Sequence, residues 1–123
     1  MEFDALSNKV IGCALRVHSA LGPGLLESTY ERCLALEMQA EGVVFKEQEP
    51  LAIAYRDVVI EKAYRVDFIV EGQLVVEIKA VAEVLDVHVA QVLTYMRFSR
   101  IGVGLLLNFN VTHLKHGIRR LVL

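Results

Sequence analysis

Three charged residues interrupt segments of the sequence that are otherwise apolar. Asp67 stands within Arg65-Val-Asp-Phe-Ile-Val, and Glu77 and Lys79 stand within Leu74-Val-Val-Glu-Ile-Lys-Ala. Both segments have the composition of β-strands, and residues two apart in a strand project to the same side. Glu77 and Lys79 are therefore expected to share one face. Carboxylate oxygens are preferred ligands of Mg²⁺ and Mn²⁺, so the two acids are candidates for a hard-cation site.

The length of the loop between these strands decides whether the two acids meet. A three-residue loop centred on Gly72 places Asp67 directly opposite Glu77, whereas a loop of two or four residues places it opposite Ile78. We predict the three-residue loop. Facing carboxylates repel each other, and a bound divalent cation would turn that repulsion into attraction. A solvent-facing sheet surface with incidental ion pairs is the alternative, and the residues alone leave both interpretations open.

Two other spacings place polar side chains together on helices. Glu27 and Tyr30 are three residues apart, and Gln91 and Tyr95 are four apart, so each pair lies on one helix face. A buried amide needs hydrogen-bond partners, which makes Gln91 a candidate neighbour of an ion or a phosphate. Tyr30 is equally compatible with a place in the core, and Gln91 with a helix cap or a solvent contact.

These residues must be positioned by an α+β (mixed α/β) fold. Apolar spacing of three and four predicts helices, and alternation predicts strands, in the order α-α-β-β-β-β-α-β-β. Asp86 is the expected N-cap of the third helix. We expect helices over residues 6–21, 25–41 and 86–99, and strands over 43–55 (as a pair or one bent strand), 58–61, 63–70, 74–80, 103–109 and 118–123.

The composition bounds the class of protein. The chain has 123 residues, of which 54% are hydrophobic and 23% charged, so it is expected to form one folded domain over residues 1–123 rather than a disordered chain. The longest apolar stretch, Ile101–Leu107, is far shorter than the roughly 20 residues of a membrane-spanning helix. The first residues carry acids where a signal peptide would carry bases. We therefore expect a cytoplasmic protein with no membrane association.

The charges are distributed unevenly. The net charge is −2, yet residues 87–123 contain no acid and five of the 13 bases. Such asymmetry is compatible with one end of the molecule facing phosphates, although the same bases could pair with acids elsewhere in the chain. The candidate nucleic-acid contacts are Arg97, Arg100, Lys115, Arg119 and Arg120, with Arg65 as a secondary phosphate contact.

Taken together, these pieces resemble a known family. Gly24-x-x-Glu27-x-x-Tyr30, Asp67, Glu77-Ile-Lys79 and Gln91-x-x-x-Tyr95 are similar to the small GxxExxY proteins, which are placed in the PD-(D/E)XK nuclease superfamily. The resemblance extends from about Val10 to Leu123. It implies a restriction-endonuclease-like core, in which helices flank a central mixed sheet.

The resemblance also implies roles for the site residues. Asp67 and Glu77 would hold Mg²⁺ or Mn²⁺, with the backbone carbonyl of Ile78 as a further ligand. Glu27 would reach the ion from its helix, as a ligand or as an anchor for water. Lys79 would orient the attacking water and stabilise charge on the phosphate. We favour this role over that of general base, because two adjacent carboxylates raise the pKa of a lysine.

The remaining residues of the pattern would support the site. Gln91 and Tyr95 match a Gln-x-x-x-Tyr feature of RecB-like nucleases, where it supports the site or the nucleic acid. Tyr30 belongs to the helix motif and is included with them.

Three functions are therefore considered. The first is a Mg²⁺- or Mn²⁺-dependent nuclease acting on DNA or, as the less favoured substrate, RNA. The second is a catalytically silent binding or scaffold module of the same fold in a nucleic-acid-related assembly, and the third is a hydrolase of a small phosphorylated ligand. A chain of this size would need a second copy or a partner to grip duplex DNA over the roughly 1,000 Å² of a specific interface. Because its apolar content is high, we also expect a homodimer.

Overall fold

Three α-helices, five β-strands and one short 3-10 helix make up residues 3–123, the part of the chain that the computed structural model describes. In chain order they are α1 (Ala5–Leu21), α2 (Glu27–Ala40), β1 (Phe45–Tyr55), β2 (Val58–Val70), β3 (Leu74–Lys79), α3 (Asp86–Ser99), β4 (Val103–Asn108), the 3-10 helix (Leu114–Gly117) and β5 (Ile118–Val122). The ends of α1, β4 and β5 lie within one residue of the ends that the sequence predicts.

The strands form one mixed sheet in the order β1-β2-β3-β4-β5. β3 and β4 are parallel, and the other neighbouring strands are antiparallel. Helix α3 connects the end of β3 to the start of β4, which is the crossover that a parallel pair requires. The predicted α+β class with a central mixed sheet and flanking helices is confirmed.

Each face of the sheet is covered by helices. On one face, α1 and α2 bury residues such as Val10, Tyr30 and Leu34 against Phe68 and Ile78. On the other face, α3 buries Val92, Tyr95 and Met96 against Val66 and Leu106. Side chains of the central strands are therefore apolar in both directions, which explains why β3 and β4 lack the clean alternation of a half-exposed strand.

The number of strands before α3 is a correction to the sequence analysis, which expects four. The structure has three, because residues 58–61 and 63–70 form the single strand β2, and residues 45–55 form the single strand β1. Lys62 adopts a left-handed φ of 53°, and the pairing with β1 shifts register between Leu51 and Ile53. The irregular residues are absorbed as a bulge because pairing with β1 continues on both sides of it.

The start of α3 is a second correction. Asp86 is the first helical residue, and the N-cap position belongs to Leu85, whose side chain has no oxygen to accept a bond. His88 Nδ1 instead accepts a hydrogen bond from the backbone N–H of Leu85, at 2.9 Å. In α1, by contrast, Asp4 is a side-chain N-cap and accepts from the backbone N–H of Ser7.

The loop between β2 and β3 has the predicted length. Val70 pairs with Leu74, Ile69 with Val75, and Phe68 with Val76. This register confirms a three-residue loop, and its continuation brings Asp67 to Glu77.

Candidate active site

The sheet opens between β2 and β3 at Asp67. The two strands share only three residue pairs, the last of which is Phe68 with Val76. Beyond that point β2 remains paired with β1, whereas β3 remains paired with β4 as far as Lys79. Asp67 and Glu77 lie at the point where the two strand pairs separate.

The side-chain alternation of β1 and β2 changes at the same place. Val66 packs into the core under α3, yet Phe68, two residues later, packs into the core under α1 and α2. On the partner strand, Gln48 has a left-handed φ of 53°. Because regular alternation would put Val66 and Phe68 on one face, the two strands must twist locally at Gln48 and Asp67. This twist leaves the side chain of Asp67 at the opening of the sheet.

The two carboxylates take over the hydrogen bonds that the backbone ladder no longer makes. The Asp67 N–H donates to Glu77 Oε1 at 2.9 Å, and the Ile78 N–H donates to Asp67 Oδ2 at 2.8 Å. The acids are thus held in a fixed arrangement by the backbone on both sides.

Burial makes this pair of acids unfavourable as two free anions. Burial and the charge of Asp67 raise the pKa of Glu77 to about 9, and burial likewise raises the pKa of Asp67, against the hydrogen bond from Ile78. Within residues 3–123 the ion pairs join Arg16 to acids of α2 and its C-terminal end and Arg120 to Asp4, so none of them neutralises this pair. The pair must hold a proton or a cation.

Glu31 is the third acid of the site, and the sequence analysis did not identify it. Gln48 Nε2 donates to both carboxylate oxygens of Glu31, at 2.9 and 2.8 Å, and to Asp67 Oδ1 at 3.3 Å. Burial raises the pKa of Glu31, and a hydrogen bond with the Glu47 carboxyl raises it further. Glu27, the acid expected from the sequence, is exposed in the first turn of α2. The sequence does place Glu31 on the same helix face as Glu27, because the two residues are four apart, and this spacing could have identified Glu31.

Lys79 lies at the end of β3, two residues after Glu77 and partly exposed. Its position in the strand places it on the face of Glu77, and its positive charge lowers the pKa of that acid. Its backbone carbonyl accepts a bond from Phe109 N–H, which fixes this end of β3 beside the residues that follow β4. The side chain of Ile78 points to the opposite face, into the core under α1 and α2.

The aromatic residues of the pattern divide between two places. Tyr95 is 6% exposed, and burial followed by the charges of Glu77 and Asp67 raises its pKa to about 12, so it borders the acids. Gln91 lies one turn earlier on α3 and is partly exposed. Tyr30 is instead fully buried: it stacks on Phe109 with ring centroids 4.6 Å apart. Its hydroxyl donates to the Gly22 carbonyl at 2.6 Å and closes the turn before α2.

The bases expected to contact nucleic acid do not form one patch. Arg97 and Arg100 lie at the C-terminal end of α3, which reaches the start of β4 and thus the end of the sheet away from Lys79. Arg119 pairs with Leu106, which pairs with Glu77, so Arg119 lies in the row of Glu77 at a distance of about 10 Å across two strand spacings. Arg65 is exposed on β2, and Lys115 is exposed in the 3-10 helix.

Arg120 has a structural partner. It follows Arg119 in β5 and therefore points to the other face of the sheet, where it bonds Asp4 Oδ1 at 2.9 Å. Its guanidinium carbon also lies 5.1 Å from the ring centroid of Phe3. Arg120 thus joins the last strand to the beginning of α1.

The donor set at the opening of the sheet suits a hard cation. In the described part of the chain, no three side chains of His, Cys, Asp or Glu converge into a group that could hold a metal ion. The Gln48 amide donates to both Glu31 and Asp67 and so links the third carboxylate to the pair. Asp67 and Glu77 nevertheless supply carboxylate oxygens at one point, and oxygen ligands are what Mg²⁺ and Mn²⁺ prefer.

A sheet with a parallel central pair, flanked by helices and carrying an aspartate and a Glu-x-Lys at its opening, is the architecture of a nuclease-like fold. A family model described as the PD-(D/E)XK nuclease superfamily matches residues 4–121, and the chain belongs to that superfamily. Comparisons with curated proteins and with solved structures found no match. In residues 3–123, no helix combines the length and the apolar character needed to cross a membrane.

Proposed function

We propose that this protein is a Mg²⁺- or Mn²⁺-dependent nuclease of the GxxExxY type that hydrolyses phosphodiester bonds of DNA, with RNA as the less favoured substrate. One observation carries the proposal: Asp67, partly buried, and Glu77, buried, are held together at the opening of the sheet, and within residues 3–123 neither acid forms an ion pair. Burying a carboxylate costs free energy, and acids whose pKa values are shifted by burial are concentrated at functional sites. The superfamily supports a nuclease rather than another metal-dependent hydrolase.

The residues would divide the work as follows. Asp67 and Glu77 would hold the cation, and Glu31 would join them when the Gln48 amide moves aside. The backbone carbonyl of Ile78 would be a further ligand of the cation. A bound divalent cation supplies charge for the phosphate oxygens and lowers the pKa of water at neutral pH. Lys79 would position the attacking water and donate to a phosphate oxygen, and Arg119 would contact a neighbouring phosphate.

A calorimetric titration with Mn²⁺ tests the proposal most directly. We expect the wild-type protein to bind Mn²⁺ and the Asp67→Asn variant to show no binding heat, because the substitution removes a ligand charge while the side-chain oxygen can still accept from Ile78 N–H. Glu77→Gln is expected to behave in the same way. Both variants should fold, as judged by circular dichroism, and both should lack Mg²⁺-dependent cleavage of DNA. Binding that survives in either variant would contradict the assignment.

The second candidate is a catalytically silent binding or scaffold module. It is favoured by the hydrogen bonds that Asp67 and Glu77 make with the backbone of the opposing strand, since these bonds give the acids a structural role as well. A silent module predicts that the wild type binds nucleic acid without cleaving it at any Mg²⁺ or Mn²⁺ concentration. It also predicts that both acid variants bind nucleic acid like the wild type.

A further inference from the structure

The ring of Tyr64 lies near the acid site, and the proposed chemistry does not use it. Tyr64 lies on β2, three residues before Asp67, in the part of the strand that has left β3. Its ring packs on Tyr95, with ring centroids 5.5 Å apart and a tilt of 57°. Tyr95 packs in one cluster with Val66 and Val75, of which Val66 directly precedes Asp67 and Val75 lies two residues before Glu77. Tyr64 therefore packs on the outer side of Tyr95, near the acids.

One side of this ring remains open to solvent. Tyr64 is 36% exposed, whereas Tyr95 beneath it is 6% exposed. The partner of Tyr64 across the strand pair is Leu51, which packs against the core under α3. The Tyr64 ring is thus a flat, exposed surface that packs on a second ring and lies near the proposed phosphate-binding site.

Few of the basic residues lie near the acids: Lys79 shares the face of Glu77, and Arg119 lies about 10 Å away in the same row. Glu31 and Gln48 lie on one side of Asp67, and Glu47 shares a hydrogen bond with Glu31. Arg97 and Arg100 lie at the distant end of the sheet, and Arg120 is bonded to Asp4. Affinity for the substrate must then come in substantial part from contacts other than phosphate pairing.

From these observations we infer that Tyr64 forms a subsite for an unpaired nucleobase next to the reacting phosphate. The substrate would therefore be single-stranded nucleic acid rather than continuous duplex. A base within a duplex has both faces covered by its neighbours and cannot stack on a protein ring, whereas an unpaired base can. This inference rests on the proposed function and names the substrate class for the same site.

The test measures binding of a fluorescent single-stranded oligonucleotide and of the matching duplex to the full chain, with Ca²⁺ in place of Mg²⁺ so that cleavage does not interfere. We expect the single strand to bind more tightly. Tyr64→Ala should weaken single-strand binding by about 5- to 150-fold, the loss expected for one stacked base, whereas Tyr64→Phe should bind like the wild type. Phe98→Ala is the matched control, because Phe98 is an exposed aromatic residue near the C-terminal end of α3, at the end of the sheet away from Lys79.

Folding of the variants is checked by thermal unfolding. If Tyr64→Ala does not fold, Tyr64→Leu replaces it, because leucine keeps an apolar cover on Tyr95 without an aromatic face. Equal binding of single strand by the wild type and by the folded non-aromatic variant would overturn the inference, as would tighter binding of duplex by the wild type. The Mn²⁺ titration does not involve Tyr64, so a failure of the subsite is distinguishable from a failure of the metal site.

Discussion

Glu31 and Glu27 lie one turn apart on α2, and the structure connects Glu31 to the acid pair through the Gln48 amide. We therefore predict that Glu31→Gln weakens Mn²⁺ binding and slows cleavage by at least about tenfold, the cost typical of losing one supporting interaction in a metal site. Glu27→Gln makes the same chemical change at an exposed position of the same helix and should leave both quantities near the wild-type values. Calorimetry and cleavage rates measure both effects, and the reverse order would restore Glu27 as the third acid.

The pKa of Glu77 leads to a prediction about pH. Glu77 keeps its proton up to about pH 9 in the folded protein but loses it near pH 4.5 when unfolded, because burial and Asp67 disfavour its charge. The folded state thus binds more protons between these values, and without a divalent cation the free energy of unfolding should fall as the pH rises through this window.

The Glu77→Gln variant lacks this proton and should show a flatter pH dependence. We expect it to melt at least about 3 °C above the wild type at pH 8 in the presence of EDTA, with the difference closing towards pH 5. Scanning calorimetry at several pH values measures this difference. Glu83→Gln changes an exposed acid and should follow the wild-type curve. Parallel curves for the wild type and Glu77→Gln would show that Glu77 is already ionised in the folded protein.

At the scale of elements, α3 carries Gln91 and Tyr95 and is set against the sheet at Gly104 of β4. A methyl group at Gly104 would lie 2.6 Å from Met96 Sδ and 3.1 Å from Val92 Cγ1, so these buried side chains of α3 must move to accept it. We expect Gly104→Ala to destabilise the protein by about 1–3 kcal/mol. The same substitution at Gly102, where nothing lies within 4 Å, should change stability by less than about 0.5 kcal/mol. Chemical denaturation compares the two.

The whole molecule has an exposed apolar arm, formed by the outer halves of β1 and β2. Tyr55, Val58, Val59 and Ile60 are all exposed there, each by 47% or more. Clusters of exposed apolar residues mark interaction surfaces, and we propose that a second copy of the chain covers this one.

Light scattering at tens of micromolar tests that proposal and should give twice the 13.8 kDa of the chain. Ile60→Lys should then yield a monomer, whereas Val44→Lys, at an exposed valine outside the arm, should remain dimeric. A monomeric mass for the wild type would exclude the dimer.

Much of the fold and one part of the site follow from the sequence alone. The turn residues between β2 and β3 are local, and the length of the loop that they form determines the register that brings Asp67 to Glu77. Helix periodicity likewise determined α1, and Gln91 and Tyr95 share a face of α3 because they are one turn apart. The number of strands before α3 was harder to predict, because a bulge at Lys62 and a true strand end have similar sequences and are distinguished only by pairing with the partner strand.

Tertiary structure decided which other side chains reach the acids. Gln48 joins Glu31 to Asp67 only because the fold brings α2 near β1 at this point and because both strands twist at Gln48 and Asp67. Neither contact has a local signature in the sequence. Tyr30 shares a motif with Glu27, yet packing on Phe109 directs it into the core. The bases of residues 87–123, which are neighbours in a charge count, are separated onto different faces and ends of the sheet because adjacent strand residues point in opposite directions and a helix carries its two ends about 20 Å apart.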